Sequence, residues 1–443
     1  MDPVTTDPKR MARKYDLIIY GASGFTGKCT VLELVKLLQN NKIDKVSWAI
    51  GGRSGEKLKA VLNEVSAETG EDLRQIEVIQ ADVENPESLQ VMARQVNVIL
   101  TCVGPYRFFG EAIVKACIAE STNYVDVCGE PQFLEEMQLR YHQQALEKNI
   151  YIVGSCGLDT IPSDCGIALL QQKFEGEVNS VEMYLEVINK GVKPMKINYG
   201  TWQSAIHGLA HASELRGLRS LLFTKPLPKP TFKLRDRGTL HYSDVINGWC
   251  LPFPGADPSV VKRSQYYFFH EEQRRPAQIR AYFKSGSLFP TAVIILVGLI
   301  FGIFSRFKAG RHLLEKYPEF FSLGAVTRDG MSKDEMDDAE FKVTLKGEGW
   351  SRKLTGPTDQ HAEPPREKMD VIVFGRNPGY GATCIMLIQA AYTILKEAEK
   401  LPSTGGVYPP GAAFARTTLV DRLTDSGVTF TVHNHSEIST TTK

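Results

Sequence analysis

Over the first third of the chain, short apolar runs alternate with stretches of helical periodicity. The series opens with Asp16-Leu17-Ile18-Ile19, and strand-like runs recur at 45–50, 75–80, 96–103, 123–127 and 149–154. Helical patterns fill the gaps at 31–38, 55–68, 86–95, 110–120 and 132–148, with Asn85 placed to cap the helix opened by Pro86. Six continuous apolar strands alternating with helices predict a parallel, doubly wound sheet covered on both faces.

The period then changes. In 181–188, Val181, Met183, Leu185 and Val187 alternate with Glu182, Tyr184 and Glu186; in 341–346, Phe341, Val343 and Leu345 alternate with Lys342, Thr344 and Lys346. This predicts an antiparallel-type sheet with one exposed face. A third strand at 369–375 is expected to pair with the second across a polar loop, 351–368, that lacks fixed structure. The basic, proline-rich 224–231 reads as an extended connection, and 434–443 as a frayed tail.

One segment follows neither period. No charge occurs from 285 to 305, a length that meets the roughly twenty apolar residues of a spanning helix. A helix buried between domains would have the same composition. A simple crossing would separate Val343 and Leu345 from the earlier strands they need as partners. Basic residues flank both ends: Arg274, Arg275, Arg280 and Lys284 before, Arg306, Lys308 and Arg311 after. The expectation is monotopic attachment through a re-entrant loop or short hairpin around Gly298 and Gly302, extended by Phe307, Tyr317, Phe320 and Phe321.

Chemistry enters directly behind the first strand, at Tyr20-Gly21-Ala22-Ser23-Gly24-Phe25-Thr26-Gly27. A glycine turn between a buried strand and a helix lets a pyrophosphate approach the backbone and meet the positive helix end. The second strand ends Gly52-Arg53-Ser54, where NAD-binding versions carry a carboxylate. Arg53 there suits a 2′-phosphate, the alternative being a solvated residue opening the next helix; the expected cofactor is NADP(H) rather than NAD(H). Asp82 is placed either to meet the adenine edge or to cap a helix. The predicted cofactor contacts are Gly21, Ser23, Gly24, Phe25, Thr26, Gly27, Arg53, Ser54, Asp82, Cys102, Val103, Gly104 and Pro105.

A length of 443 residues suggests two or three domains, and a net charge of +1 gives no electrostatic footprint for nucleic acid. Eight scattered cysteines, with no metal-ligand spacing, fit free thiols in a reducing compartment. The charged start is unlike a secretory signal, so the cytosolic face of membranes or lipid droplets is the expected location.

The glycine turn, Gly52-Arg53-Ser54, Val103-Gly104-Pro105-Tyr106, Asp126-Val127-Cys128-Gly129-Glu130-Pro131, Gly154-Ser155-Cys156-Gly157-Leu158-Asp159-Thr160-Ile161-Pro162-Ser163-Asp164 and Gly405-Gly406-Val407-Tyr408-Pro409-Pro410-Gly411-Ala412-Ala413-Phe414 occur in that order. Together they resemble the saccharopine dehydrogenase-like oxidoreductases of animals over nearly the whole chain. The resemblance implies a Rossmann domain, a mixed α/β second domain, a C-terminal return to the first, and association with membranes or lipid droplets. Related bacterial proteins are similar to enoyl reductases acting in trans on lipid synthesis.

The fold class expected is therefore α/β: an N-terminal Rossmann doubly wound parallel sheet, a second mixed α/β domain with an antiparallel-type sheet, and a membrane-associating apolar segment. The boundaries are an N-terminal arm (1–14), the Rossmann domain (15–165), the first part of a second, substrate or dimerisation-type domain (166–284), the apolar segment (285–325), the second domain continued (326–376), a C-terminal helix and return (377–433) and a disordered tail (434–443). Such a second domain is compatible with a homodimer.

Saccharopine itself, with three carboxylates, would need clustered cations, yet the crevice stretches offer Arg107 and His207 among Tyr106, Phe108, Phe109, Phe133, Tyr199 and Trp202. Those aromatics either line a site for a lipid-like acceptor or belong to the core. Tyr106 and Glu130 are the candidate catalytic residues, Tyr106 as proton donor; Asp159 and Asp164 are further titratable groups, with loop capping as their alternative role. Tyr392 and Lys396 match a Tyr-x-x-x-Lys spacing by chance, and the His207/His211 pair lacks a third metal ligand. Two functions remain: a membrane-attached oxidoreductase, or a non-catalytic lipid-surface protein retaining a nucleotide-binding domain.

Overall fold

The computed structural model describes residues 13–191, 196–328, 331–402 and 404–435, so most of the N-terminal arm and of the expected tail lies outside the described residues. In the first third, β1 (Tyr15–Tyr20), α1 (Phe25–Gln39), β2 (Trp48–Gly52), α2 (Gly55–Thr69), β3 (Glu77–Gln80), α3 (Pro86–Arg94), β4 (Val96–Thr101), α4 (Tyr106–Ala119), β5 (Asn123–Asp126), α5 (Pro131–Glu147) and β6 (Tyr151–Val153) follow one another. The sheet is parallel, ordered β3-β2-β1-β4-β5-β6, and a seventh strand from the C-terminal region, Gly406–Tyr408, adds beside β6. Leu17, Ile18 and Ile19 are all fully buried, as strands covered on both faces require. Helix α4 begins at Tyr106, earlier than periodicity indicates. Pro105 sits at its N-cap, and the Glu130 carboxylate accepts from the backbone N–H of Tyr106 (2.9 Å) and Arg107 (3.2 Å), which stabilises the extra turn.

A π-turn (Ile161–Cys165) and α6 (Gly166–Lys173) lead to the long strand β7 (Glu177–Asn189). The chain continues through β8 (Ile197–Asn198), α7 (Tyr199–Ala210), α8 (Glu214–Leu222), β9 (His241–Ser243), β10 (Gly248–Pro252), α9 (Asp257–Glu272) and β11 (Gln278–Gly286). Next come α10 (Leu288–Ser305), α11 (Lys308–Lys316), α12 (Pro318–Phe321), β12 (Val326–Thr327), α13 (Lys333–Asp337), β13 (Ala339–Trp350) and β14 (Glu367–Arg376). The end is built of α14 (Thr383–Lys396), β15 (Gly406–Tyr408), α15 (Pro410–Phe414), α16 (Leu419–Asp425) and β16 (Thr429–Asn434).

The second sheet, ordered β16-β14-β13-β7-β11-β10-β9, is mixed: β7 pairs antiparallel with β13 but parallel with β11. Phe341, Val343 and Leu345 stand opposite Val187, Leu185 and Met183, and opposite Gly375, Val373 and Val371 of β14. The second face of β7 is covered, contrary to the expectation of an exposed one. Glu182 is paired with Arg237, Glu186 with Lys284 at 3.0 Å, and Tyr184 stacks on Tyr282 with ring centroids 5.4 Å apart. Polar residues in a strand pattern were thus partners for a covering segment rather than a solvated face.

Two further expectations change. The loop 351–368 is folded back: His361 stacks on Trp350 (3.9 Å) and bonds Glu177 (2.8 Å), while the Trp350 indole donates to the Glu363 carbonyl. The first two residues of the expected tail are structured, β16 pairing with β14 as far as Asn434 and His435 reaching Asp370 (2.9 Å), and the rest of it lies outside the described residues. Helix α14 returns to the first sheet and packs against α1, β4 and β5, almost wholly buried.

The apolar segment forms one continuous helix, about 27 Å long at 1.5 Å per residue, with no hairpin at Gly298 or Gly302. Pro290 and Thr291 stand in its first turn, and no polar side chain or proline follows from Ala292 to Phe304, so the chain changes direction only at Arg306–Phe307. Only Thr291 and Ser305 of this helix are buried. It rests on α7 through Trp202 and Phe301 (ring centroids 4.7 Å) and on α11. The strands before it and after it lie in one sheet.

The two sheets share a continuous core, braced by Asp164 in the π-turn. Its Oδ2 accepts from the Ser264 hydroxyl of α9 and from the Gly411 N–H of α15, both at 2.7 Å. Burial pushes this carboxyl from 3.8 up to about 7, against the two hydrogen bonds. The folded chain therefore binds a proton that the unfolded chain releases. Stability is full below the ordinary value and falls by about 1.4 kcal/mol per pH unit until the folded value is reached. Asp164→Asn, which keeps the acceptor oxygen, is expected to flatten this slope in urea titrations between about pH 4 and pH 7. Gly411→Ala would bring a Cβ within 2.6 Å of the carboxylate, with an expected loss of about 1–3 kcal/mol in the same assay.

Candidate functional site

The crevice opens at the C-terminal ends of β1, β2 and β4, where a doubly wound sheet leaves room for a ligand. It is a cleft of about 240 Å³ lined by Tyr20, Gly21, Ser23, Gly24, Gly52, Arg53, Val83, Cys102, Val103, Gly104 and Phe109. Gly21 has φ +85°, and a Cβ there would come within 2.7 Å of Val103. A Cβ on Gly27 would lie 2.2 Å from the Gly21 carbonyl, so α1 can start this close to the turn only as glycine. Gly24 occupies the N-cap without a side-chain bond, and no acidic residue sits in the first turn. The N–H groups of Phe25, Thr26 and Gly27 are thereby left for an anion. These residues fit a dinucleotide.

Of the second strand's contacts, Arg53 lines the cleft exposed and, among the described residues, forms no ion pair with a carboxylate. Ser54 caps α2, its hydroxyl accepting from Lys57 N at 3.4 Å. Asp82 folds into a turn, Oδ1 accepting from Glu84 N (3.1 Å), and α3 is capped by Asn85 instead. Cys102, Val103 and Gly104 line the floor, and Pro105 stands at the N-cap position of α4 without a side-chain bond.

The two catalytic candidates hold structural positions. Tyr106 is buried and donates its hydroxyl hydrogen to the Thr101 carbonyl (3.0 Å); burial and the Asp126 charge push its phenol well above the ordinary value. Glu130 caps α4 and also accepts from Ser204 of α7 (2.9 Å). Tyr392, on the buried helix α14, donates to Asp44 (2.7 Å) in the loop after α1 and does not line the cleft. His207 bonds Glu315 (2.9 Å) and sits edge-on to Phe108, while Arg107 pairs with Glu214 (3.3 Å). The aromatics divide: Phe109 lines the cleft, Phe108 is exposed, Tyr106 and Phe133 are core, and Trp202 faces α10.

Asp126 was missed. It closes β5, wholly buried, accepting from Tyr124 (2.7 Å), Cys128 N (2.9 Å) and Ser155 N (2.6 Å), and burial raises it to about 6. Its signal was a lone carboxylate at the end of an apolar strand. Asp257, on α9 and wholly buried, carried no sequence signal at all.

Residues 17–153 match the saccharopine dehydrogenase NADP binding domain. A Homo sapiens saccharopine dehydrogenase-like oxidoreductase is 42% identical over 429 residues, covering 96% of this chain and 99% of that one. A Caenorhabditis elegans lipid droplet localized protein is 36% identical over 430 residues, covering 96% and 100%. Among solved structures, saccharopine dehydrogenase (L-Glu forming) from Saccharomyces cerevisiae aligns with 95% of this chain and 99% of its own, at TM-score 0.52 and 14% identity, a likeness of fold. The uncapped helix, the glycine turn and these full-length relatives agree: the chain belongs to the saccharopine dehydrogenase-like oxidoreductase family.

Proposed function

We propose that this protein is an NADP(H)-dependent oxidoreductase, attached to the cytosolic face of a membrane or lipid droplet, that transfers hydride to a lipid-like acceptor. The observation that carries it is the open N-terminus of α1 beside an Arg53 with no carboxylate partner among the described residues. Gly21 to Gly27 would hold the pyrophosphate, and Arg53 the 2′-phosphate as a charge-assisted pair. When bound, the nicotinamide supplies or takes up a hydride ion. Cys102, Val103, Gly104 and Phe109 would shield that ring from water.

Attachment is supported by α10, where Phe289 is 79% exposed, and by Phe320 of α12, 76% exposed. Leu296, Leu299 and Ile303 follow helical spacing along one exposed stripe. With β7 and β13 in one sheet, both ends of α10 lie on the same side, which favours lying in one leaflet over crossing it. Helix α7 touches α10 through Trp202 and, through Ser204, the Glu130 carboxylate that holds the start of α4. The alternative, a non-catalytic lipid-surface protein, draws on the structural roles of Tyr106 and Glu130.

Equilibrium binding by cofactor fluorescence is expected to show NADPH at least about tenfold tighter than NADH, a difference of about 1.4 kcal/mol. Arg53→Ala should remove that preference and leave NADH binding unchanged; absence of binding by either nucleotide would sink the oxidoreductase reading. In flotation with anionic phospholipid vesicles the chain should rise with the lipid. Leu296→Glu with Ile303→Glu should cut binding more than about tenfold, since each buried charge costs about 2.5–3.5 kcal/mol at a bilayer centre. Wild-type protein left at the bottom of the gradient would refute attachment.

A further inference from the structure

Adding hydride to a double bond leaves an electron pair that needs a proton, and the obvious donors are committed. Tyr106 gives its hydrogen to Thr101, and Asp126 is held by Tyr124, Cys128 and Ser155. Glu130 accepts from two backbone N–H groups and Ser204. Asp159 differs. It follows β6 at the C-terminal edge of the sheet, is exposed, and its Oδ2 lies against Gly129 in the loop after β5, where a Cβ would approach to 2.9 Å. In a doubly wound sheet that edge flanks the nicotinamide half of the cofactor crevice.

Within range of the Asp159 charge is Asp257, fully buried in the first turn of α9, with neither carboxylate oxygen hydrogen-bonded among the described residues. The neighbouring Ser163 hydroxyl turns to the Thr160 carbonyl (3.2 Å). The charged groups around Asp257 are Asp159, Asp164 from the π-turn, and Arg263 farther along α9, which faces Asp164 but directs its Nε to Gln138. A buried carboxylate without donors is costly when ionised, so Asp257 keeps a proton, and a neighbouring carboxylate is its natural acceptor. Burial, then the charges of Asp159 and Asp164, push Asp257 well up, and the protein packed around Asp159 raises that carboxyl too, although it reaches solvent.

We propose that Asp159 is the catalytic proton carrier of the crevice and that Asp257 is the positioning residue with which it shares that proton. The assignment rests on the oxidoreductase reading. The acceptor's unsaturated carbon gains a hydride ion, with its two electrons, from reduced nicotinamide, which leaves oxidised. The π pair moves to the acceptor's adjacent atom, and that atom takes the proton from the Asp159 carboxyl as its O–H bond breaks. Asp159 is reprotonated from solvent through the pair, and the reverse direction reverses each movement.

The test needs no acceptor. Oxidised nicotinamide is cationic and reduced nicotinamide is not, so NADP⁺ beside the pair should favour its ionised form and release protons near neutral pH, while NADPH should not. The experiment reads proton release with an indicator dye on adding each nucleotide to the full chain. A measurable excess for NADP⁺ is expected in wild type and should vanish in Asp159→Asn. An unchanged excess in Asp159→Asn, or no excess in wild type with both nucleotides bound, overturns the proposal. Infrared difference spectra give a second readout: a protonated-carboxyl band at neutral pH should be lost in both Asp159→Asn and Asp257→Asn, and its persistence in both overturns the shared proton. Failure of both nucleotides to bind overturns the oxidoreductase reading, and the proton-carrier role with it, whatever the infrared band shows.

Discussion

The ladder between β7 and β13 constrains the rest of the molecule. It joins Glu177–Asn189 to Ala339–Trp350 along nearly their whole length, across every element inserted between them. Because backbone hydrogen bonds hold both strands in one sheet, the chain that leaves after β11 must come back to the same side. That return, rather than composition, dictates that both ends of the apolar helix of spanning length lie on the same side.

A second consequence is the location of the crevice. The C-terminal region returns to the first sheet, with α14 covering one face and β15 extending the edge beside β6. Asp164 then ties the π-turn to α9 and α15 through two short hydrogen bonds. The strand ends that would carry chemistry are thus walled by α9 of the second domain, and water is withdrawn from several carboxylates at once. Burial there is what raises Asp126 and Asp164.

The carboxylates around the crevice separate by their hydrogen bonds. Glu130 and Asp126 are saturated by donors and hold loops and a helix end in place. Among the described residues Asp257 has no donor, and its only recourse in the interior is to stay protonated. Proximity in a crevice is therefore a poor guide to catalysis; what a group's lone pairs and hydrogens already hold is a better one. Tyr106 follows the right strand, yet its hydrogen is spent on Thr101.

The sequence by itself determined the elements whose causes are local. Continuous apolar runs need cover on both faces, so the parallel sheet was legible, and so was the glycine turn, because Gly27 answers to Gly21 and Ala22 a few residues away; that Gly21 must also clear Val103 came only with the fold. The pairing of 341–346 with 181–188 and 369–375 was legible from period-two alternation. Tertiary structure alone decided what distant chain supplies. Glu182, Tyr184 and Glu186 look solvated until Arg237, Tyr282 and Lys284 arrive to cover them. Tyr106 looks free until α4 starts one turn early on Glu130. The apolar helix looks like a hairpin from its glycines, but nothing packs against Gly298 to make it turn. Asp257 had no signal because its meaning is the absence of a partner, and that depends on every group folded around it rather than on its neighbours in sequence.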